Sequence, residues 1–217
     1  MFFGVLKSQL FITQKVQPHG QRAFIKNKID HQSARKRFVG THTHRQHCFE
    51  SRRKAGSGVP FIEAARCLRN VDPRFVLAIA RQESRFQTDA KSVAAARGMM
   101  QFISATADEV ANRLARKSFD QDDLYNADTA ILFGSEYLAT PFQQFPAQPQ
   151  AVAASYNGGP ENVARWIARS RSSDTDRYVP EIGFSQTKDY VYKVMTSFWN
   201  YERLYDAQLE RRSSARK

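Results

Sequence analysis

Glu83 is the residue whose type and position most clearly suggest chemistry. It follows Ile79 by four residues and Val76 by seven, so in a helix its side chain projects from the apolar face. Desolvation at such a position raises the pKa of a carboxyl group, which is what a general acid needs to protonate a leaving oxygen near neutral pH. Taken alone, the position rather favours a structural glutamate paired with a nearby arginine such as Arg81 or Arg85, and it leaves the catalytic interpretation open.

The elements that would position this residue are predicted to be helices. Asp72 and Pro73 form an N-cap and first-residue pair, and the helix that they start is expected to bury Phe75, Ile79 and Phe86. The sequence 106–109 has the form of a capping box that opens a second helix. Apolar residues at helical spacing predict further helices over 61–68, 128–139, 149–156, 161–167 and 187–209. No strand pair is expected, so the fold class is mainly α.

The positive charge of the chain is concentrated at its N-terminal end. The formal net charge is +12, but residues 1–58 contain twelve Lys/Arg and two acidic residues, whereas residues 59–217 are nearly balanced. We therefore predict a basic, largely disordered extension over 1–58, a folded domain over 59–210 and a basic tail over 211–217. Because the charge lies mainly in a tail, we expect no specific nucleic-acid binding.

Cysteine and histidine usage indicates no metal site. The only cysteines, Cys48 and Cys67, lack metal-ligand spacing, and we interpret the cluster of His42, His44 and His47 as part of a solvated tail. We expect neither a metal nor another cofactor. The first residues form a poor signal peptide and are too short to span a membrane, so no transmembrane segment is expected.

Three groups of short motifs follow one another in the chain. Glu-Ser-Arg-Phe at 83–86 precedes Ser92, Gly-Met-Met-Gln at 98–101 and Thr-Ala at 106–107. Ser-Tyr-Asn-Gly-Gly-Pro at 155–160 precedes Trp166, and the segment 182–191 reads Ile-Gly-Phe-Ser-Gln-Thr-Lys-Asp-Tyr-Val. In this order, over about residues 60–205, the motifs resemble those of the soluble lytic transglycosylase (SLT, goose-lysozyme-like) family.

This resemblance implies a lysozyme-like helical domain with a groove for peptidoglycan glycan strands. Glu83 would protonate the glycosidic oxygen that follows MurNAc, and the resulting carboxylate would take the proton of the C6 hydroxyl of the same sugar. That sequence of steps closes a 1,6-anhydro ring and consumes no water. It needs one catalytic carboxyl group, whereas most glycosidases use two.

The resemblance also implies which residues line the groove. Ser92, Gln101, Tyr156 and Asn157 match family positions at the site, and Met100 is expected to shape the groove floor. Tyr156 is the best candidate for a hydrogen bond near Glu83, although it also fits a core tyrosine.

Two other residues are also candidates for the site. Glu181 is a candidate for substrate binding because it lies beside the position of a family glutamate, which falls on Pro180 here. Tyr190 fits the core and the groove wall equally well. Among departures from the family pattern, Ala95 replaces a glycine, which would be costly if the backbone there needs a positive φ.

The sequence leaves other functions open. A hydrolytic lysozyme on the same fold would share Glu83, and a catalytically silent peptidoglycan-binding protein would share the groove. The expected partners are peptidoglycan strands and other cell-wall proteins. Family resemblance predicts a periplasmic or cell-envelope location, although the chain shows no convincing signal peptide.

Overall fold

The computed structural model describes residues 71–172 and 174–212. Within these ranges the chain is helical and contains isolated β-bridges but no strand, which confirms the mainly α fold class. The predictions for residues 1–70 and 213–217, including the extension, its histidines and both cysteines, lie outside the described residues. The helices are α1 (Pro73–Ser84), α2 (Ser104–Arg113), a 3₁₀ helix (Gln121–Tyr125), α3 (Ala127–Gln144), α4 (Pro149–Gly158), α5 (Pro160–Ser170), α6 (Thr175–Tyr178) and α7 (Ser185–Leu204).

Helix α1 starts as its sequence predicts. The side chain of Asp72 accepts a hydrogen bond from the backbone N–H of Arg74 at 2.9 Å, and Pro73 is the first helical residue. The guanidinium of Arg74 contacts Asp72 at 2.6 Å and Glu202 of α7 at 3.4 Å. These contacts fix the start of α1 against the end of α7, so the two helices run antiparallel with Glu83 at the opposite end of the pair.

The core is built around α4, which packs against α7, α5 and α3. Residues 151–154 of this helix, Ala-Val-Ala-Ala, are fully buried, and their small side chains allow the neighbouring helices to approach closely. Phe75 of α1 makes edge-to-face contacts with Phe142 at 5.1 Å and Phe198 at 5.3 Å. Helix α1 is thereby fixed between α3 and α7, which gives the end that carries Glu83 a rigid base.

Several local predictions are wrong. Phe86 does not continue the buried face of α1, because Arg85 and Phe86 have φ of 56° and 68°, which ends the helix and leaves Phe86 exposed. The capping box at 106–109 is absent, since α2 already begins at Ser104 and its N-cap residue, Ile103, makes no side-chain cap. Helix α7 ends at Leu204, five residues before the predicted end. The 3₁₀ helix and α6 were not predicted. No helix of the described residues is long and apolar enough to cross a membrane.

Candidate active site

Glu83 lies in the last turn of α1, half-buried and directed towards α7. The hydroxyl of Tyr190 donates a hydrogen bond to its Oε1 atom at 2.7 Å. Tyr190 is only 6% exposed, because α7 packs along α1. The structural interpretation of Glu83 requires an ion pair with a nearby arginine, but among the described residues Glu83 forms none with Arg81 or Arg85. Its carboxyl group instead accepts a hydrogen bond from a neutral hydroxyl on the facing helix.

The loop that follows α1 folds back beside Glu83. Ser84 is buried, and its hydroxyl donates to the carbonyl of Met99 at 2.9 Å, which brings the Gly-Met-Met-Gln motif at 98–101 against the end of α1. The side-chain amide of Gln101 donates to the carbonyls of Ala90 at 3.1 Å and Gly98 at 2.9 Å. Gln101 therefore fixes the loop, with its side chain buried beneath the surface.

Ser92 lies in the same loop and also stabilises it. Its hydroxyl accepts the backbone N–H of Ala96 at 3.0 Å, in a turn where Ala95 has φ of 58°. The positive φ that would favour glycine at position 95 is therefore present. An alanine here adopts a left-handed conformation at a cost that glycine avoids.

Gly98 is required by the way the loop packs on the 3₁₀ helix. Its φ is +72°, and a Cβ atom would lie 1.8 Å from the carbonyl oxygen of Leu124. The glycine of the Gly-Met-Met-Gln motif thus permits a close contact between two backbone segments, which a side chain at this position would prevent. The contact fixes the loop that carries Met100 and Gln101 against the 3₁₀ helix.

Tyr156 joins α4 to this loop. Its side chain is buried, and its hydroxyl donates to the carbonyl of Met100 at 2.8 Å. Met100 is also fully buried, and its Sδ and terminal methyl pack over the face of Gly134 in α3. The structure thus places Met100, which the sequence predicts to shape the groove floor, in the core, with its backbone held by Tyr156.

Asn157 is linked to the start of α7. The hydroxyl of Thr187 donates to its Oδ1 atom at 2.7 Å. A Cβ atom on the next residue, Gly158, would lie 3.1 Å from both Thr187 and Trp166, so the closeness of these helices accounts for a glycine at this position. Thr187 precedes Tyr190 by one turn of α7, and the hydrogen bond therefore places Asn157 on the side of the domain where Tyr190 meets Glu83.

Glu181 is placed differently. It lies on the surface between α6 and α7 and forms an ion pair with Arg169 of α5 at 3.2 Å. The same arginine also donates to the backbone carbonyl of Glu181. Its observed partner is thus on α5, whereas Tyr156, Met100, Gln101 and Asn157 belong to the elements around Glu83.

Three tyrosines form an aromatic group near Glu83. Burial raises the pKa of Tyr190 well above its ordinary value, and the charge of Glu83 raises it further. Burial and then Glu83 act in the same direction on the pKa of Tyr156. Burial, with smaller contributions from charges that include Glu83, raises the pKa of Tyr137 to about 12. All three hydroxyls therefore remain protonated, and able to donate, over the whole physiological pH range.

Among the described residues, no group of three His, Cys, Asp or Glu side chains is close enough to hold a metal ion.

The sequence alone leaves Tyr190 undecided between the core and the groove wall. The structure shows that it contacts the carboxyl group directly. The available signal in the sequence was that Tyr190 lies in the motif at 182–191, but the motif does not indicate which residue its hydroxyl contacts.

A family model for the transglycosylase SLT domain matches residues 60–179. The chain belongs to this family. The SLT chain is 32% identical over 129 residues to the soluble lytic murein transglycosylase of Escherichia coli K12, which is 58% of this chain and 20% of that protein.

Solved structures agree with this assignment. The SLT chain matches the 70 kDa soluble lytic transglycosylase of Escherichia coli with a TM-score of 0.62 and 27% identity, over 71% of this chain and 25% of the other. An inactive glutamate-to-glutamine mutant of lytic transglycosylase Slt from Pseudomonas aeruginosa matches with a TM-score of 0.62 and 25% identity, over 71% and 26%. The chain thus spans about a quarter of the length of these proteins or less.

Proposed function

We propose that this SLT chain is a peptidoglycan lytic transglycosylase that cleaves the β-1,4 bond between MurNAc and GlcNAc and leaves 1,6-anhydroMurNAc ends. The observation that carries the proposal is the half-buried carboxyl group of Glu83, bonded to the buried hydroxyl of Tyr190, within a domain of the SLT family. The names of the similar proteins support the same activity.

In the first step, Glu83 donates its proton to the glycosidic oxygen, and the bond from C1 of MurNAc to that oxygen breaks. The GlcNAc-terminated part of the strand leaves as an alcohol, and positive charge develops at C1. As Glu83 loses its proton, the hydrogen bond from Tyr190 becomes charge-assisted and therefore stronger. Tyr190 thus favours the ionised form that the step produces.

In the second step, the Glu83 carboxylate takes the proton of the C6 hydroxyl of the same MurNAc. The oxygen attacks C1 and closes the anhydro ring, which returns Glu83 to its acid form. A single carboxyl group serves both steps, and the atoms balance without water.

The remaining candidates are proposed to form or support the groove that binds the strand. Tyr156 and Met100 give the groove a rigid apolar floor, and Asn157 offers a polar group beside it. Ser92 and Gln101 keep the loop in place. We retain Glu181 as a more distant candidate for substrate binding. The chain would act in the periplasm or cell envelope, where peptidoglycan is found.

The test is a digest of purified peptidoglycan with the full chain, with products identified by mass. Products one water lighter than those of a lysozyme are expected, and a Glu83→Gln variant should release none. Glu109→Gln, which changes an exposed glutamate of α2, is the matched control and should keep its activity. Reducing ends would instead identify a hydrolase, and the absence of products from the unmodified chain would favour a binding protein.

A further inference from the structure

A second surface feature adjoins the α1–α7 pair. A groove of about 570 Å³ runs between the C-terminal end of α1 and the middle of α7. Its walls include Arg81, Arg85 and Phe86 on one side and Tyr192, Lys193 and Thr196 on the other. None of its lining residues is acidic.

The three cations of the groove are not neutralised within the described part of the chain. No carboxylate of residues 71–172 and 174–212 lies within 4 Å of Arg81, Arg85 or Lys193. The negative end of the α1 dipole favours the two arginines, but it gives no reason for Lys193, which lies in the middle of α7. Three like charges around one groove provide a site for an anionic ligand.

The aromatic side chains of the groove point to a ligand that also has apolar parts. Phe86 is 37% exposed and Tyr192 is 56% exposed. Phe86 is held outward by two consecutive left-handed residues, Arg85 and Phe86 itself, neither of which is glycine. Such backbone strain tends to persist where a side chain must be presented for a function.

The groove is separate from the catalytic carboxyl group. Arg81 lies two residues before Glu83 in α1, so its side chain is about 160° away from Glu83 around the helix axis. Neither Glu83 nor Tyr190 lines the groove, so a ligand bound there would not occupy the position of the bond that is cut. In a cross-linked wall, such a ligand would belong to a neighbouring strand.

We propose that this groove binds the acidic peptide stem of peptidoglycan, with Arg81, Arg85 and Lys193 contacting its carboxylates and with Phe86 and Tyr192 contacting its aliphatic parts. The inference rests on the proposed function. A stem carries several carboxylates separated by short aliphatic segments, which matches a groove lined by both cations and aromatic rings. Binding of a neighbouring stem would keep the enzyme on the wall between cleavage events.

Binding is tested without turnover, in the full chain carrying Glu83→Gln. A synthetic stem peptide of alanine, γ-linked D-glutamate and diaminopimelate is titrated by NMR. The triple change Arg81→Gln, Arg85→Gln and Lys193→Gln should weaken binding about eightfold, since an exposed ion pair contributes about twofold for each cation. The matched control removes the same charge at Lys117, Arg177 and Arg203, which are exposed elsewhere, and should leave the affinity unchanged.

Equal weakening in both triple variants would show bulk electrostatic attraction and overturn the proposal, as would unchanged binding by the groove variant. The same peptide with its carboxylates amidated should bind as weakly as the groove variant does. Binding of a short DNA oligonucleotide at the groove residues, without binding of the stem peptide, would also refute the assignment.

A second measurement uses chains with Glu83 intact. The ratio of cleavage rates on intact wall and on strands stripped of their stems should fall in the groove variant and stay constant in the charge control. A constant ratio in both variants would contradict the inference. If no variant cleaves either substrate, the proposed function fails, whereas the titration with Glu83→Gln still decides whether the groove binds stems.

Discussion

Replacement of Tyr190 by phenylalanine is the sharpest test of how this domain controls its carboxyl group. The change removes one oxygen atom, which donates to Glu83 at 2.7 Å, and keeps the ring that fills the space between α7 and α1. The side chain is almost fully buried, and because phenylalanine keeps the ring, the packing contribution is retained. Any effect on catalysis therefore reports the hydrogen bond.

The size of the effect follows from the burial of the two partners. A hydrogen bond to a charged group contributes about 1.5–3 kcal/mol. Because Glu83 is half-buried, water can replace part of the lost bond, and we take the lower figure. About 1.5 kcal/mol corresponds to about one pKa unit and to at most about a tenfold fall in kcat. Loss of a donor to the ionised form favours the protonated form, so the alkaline limb of the pH–rate profile should move to higher pH.

The assay measures kcat and KM on glycan strands over a pH series, together with Tm. We expect a lower plateau, an alkaline limb displaced upward by about one unit, and a nearly unchanged KM. Tyr201→Phe, three turns further along α7, is the control and should change none of these quantities. A lower plateau with an unmoved limb would show that the hydroxyl does not act through the pKa of Glu83 and would contradict this part of the reasoning. A variant that matches the unmodified chain in both respects would refute the assigned role.

Two further changes test the loop between α1 and α2, which carries the Gly-Met-Met-Gln motif. Gly98→Ala should lower the stability by more than about 3 kcal/mol, since overpacking and a positive φ act together; its Cβ atom would overlap the carbonyl of Leu124, and thermal melting should show loss of the folded state. Ala95→Gly should raise the stability by about 1 kcal/mol, because φ at this position is 58° and glycine relieves the strain. That gain corresponds to a rise in Tm of about 2–4 °C, and an unchanged or lower Tm would mean that the freedom of glycine in the unfolded chain outweighs it.

Local signals in the sequence predicted the start of α1 but misplaced other boundaries. Asp72 and Pro73 predicted the start of α1 because both the cap and the proline act within one turn. Phe86 was misplaced because helical periodicity assumes that the helix continues, whereas the two left-handed residues that end it leave no trace in the apolar pattern. The start of α2 was misplaced because its first residues follow the turn at 98–102, whose backbone hydrogen bonds fix where the chain can become helical.

The contact that completes the candidate site depends on tertiary structure. Tyr190 and Glu83 are separated by 107 positions in the chain, and only the packing of α7 along α1 brings them together. Each residue could be assigned to a helix and to an apolar face from the sequence. Which hydroxyl contacts which carboxylate depends on the relative rotation of the two helices. The motifs and the apolar periodicity of this sequence do not specify that rotation.

The group of buried tyrosines explains how one carboxyl group could serve two proton transfers. An acid that donates a proton and then recovers one must have both charge states supported in turn. Burial raises the pKa of Tyr190, so the hydroxyl that donates to Glu83 stays protonated. A neutral donor strengthens its hydrogen bond when the carboxylate forms and weakens it when the proton returns. A cation in its place would hold Glu83 ionised and oppose the first step, whereas a purely apolar wall would hold it protonated and oppose the second. A tyrosine hydroxyl lies between these extremes, and it therefore suits a reaction in which the same oxygen atoms act first as acid and then as base.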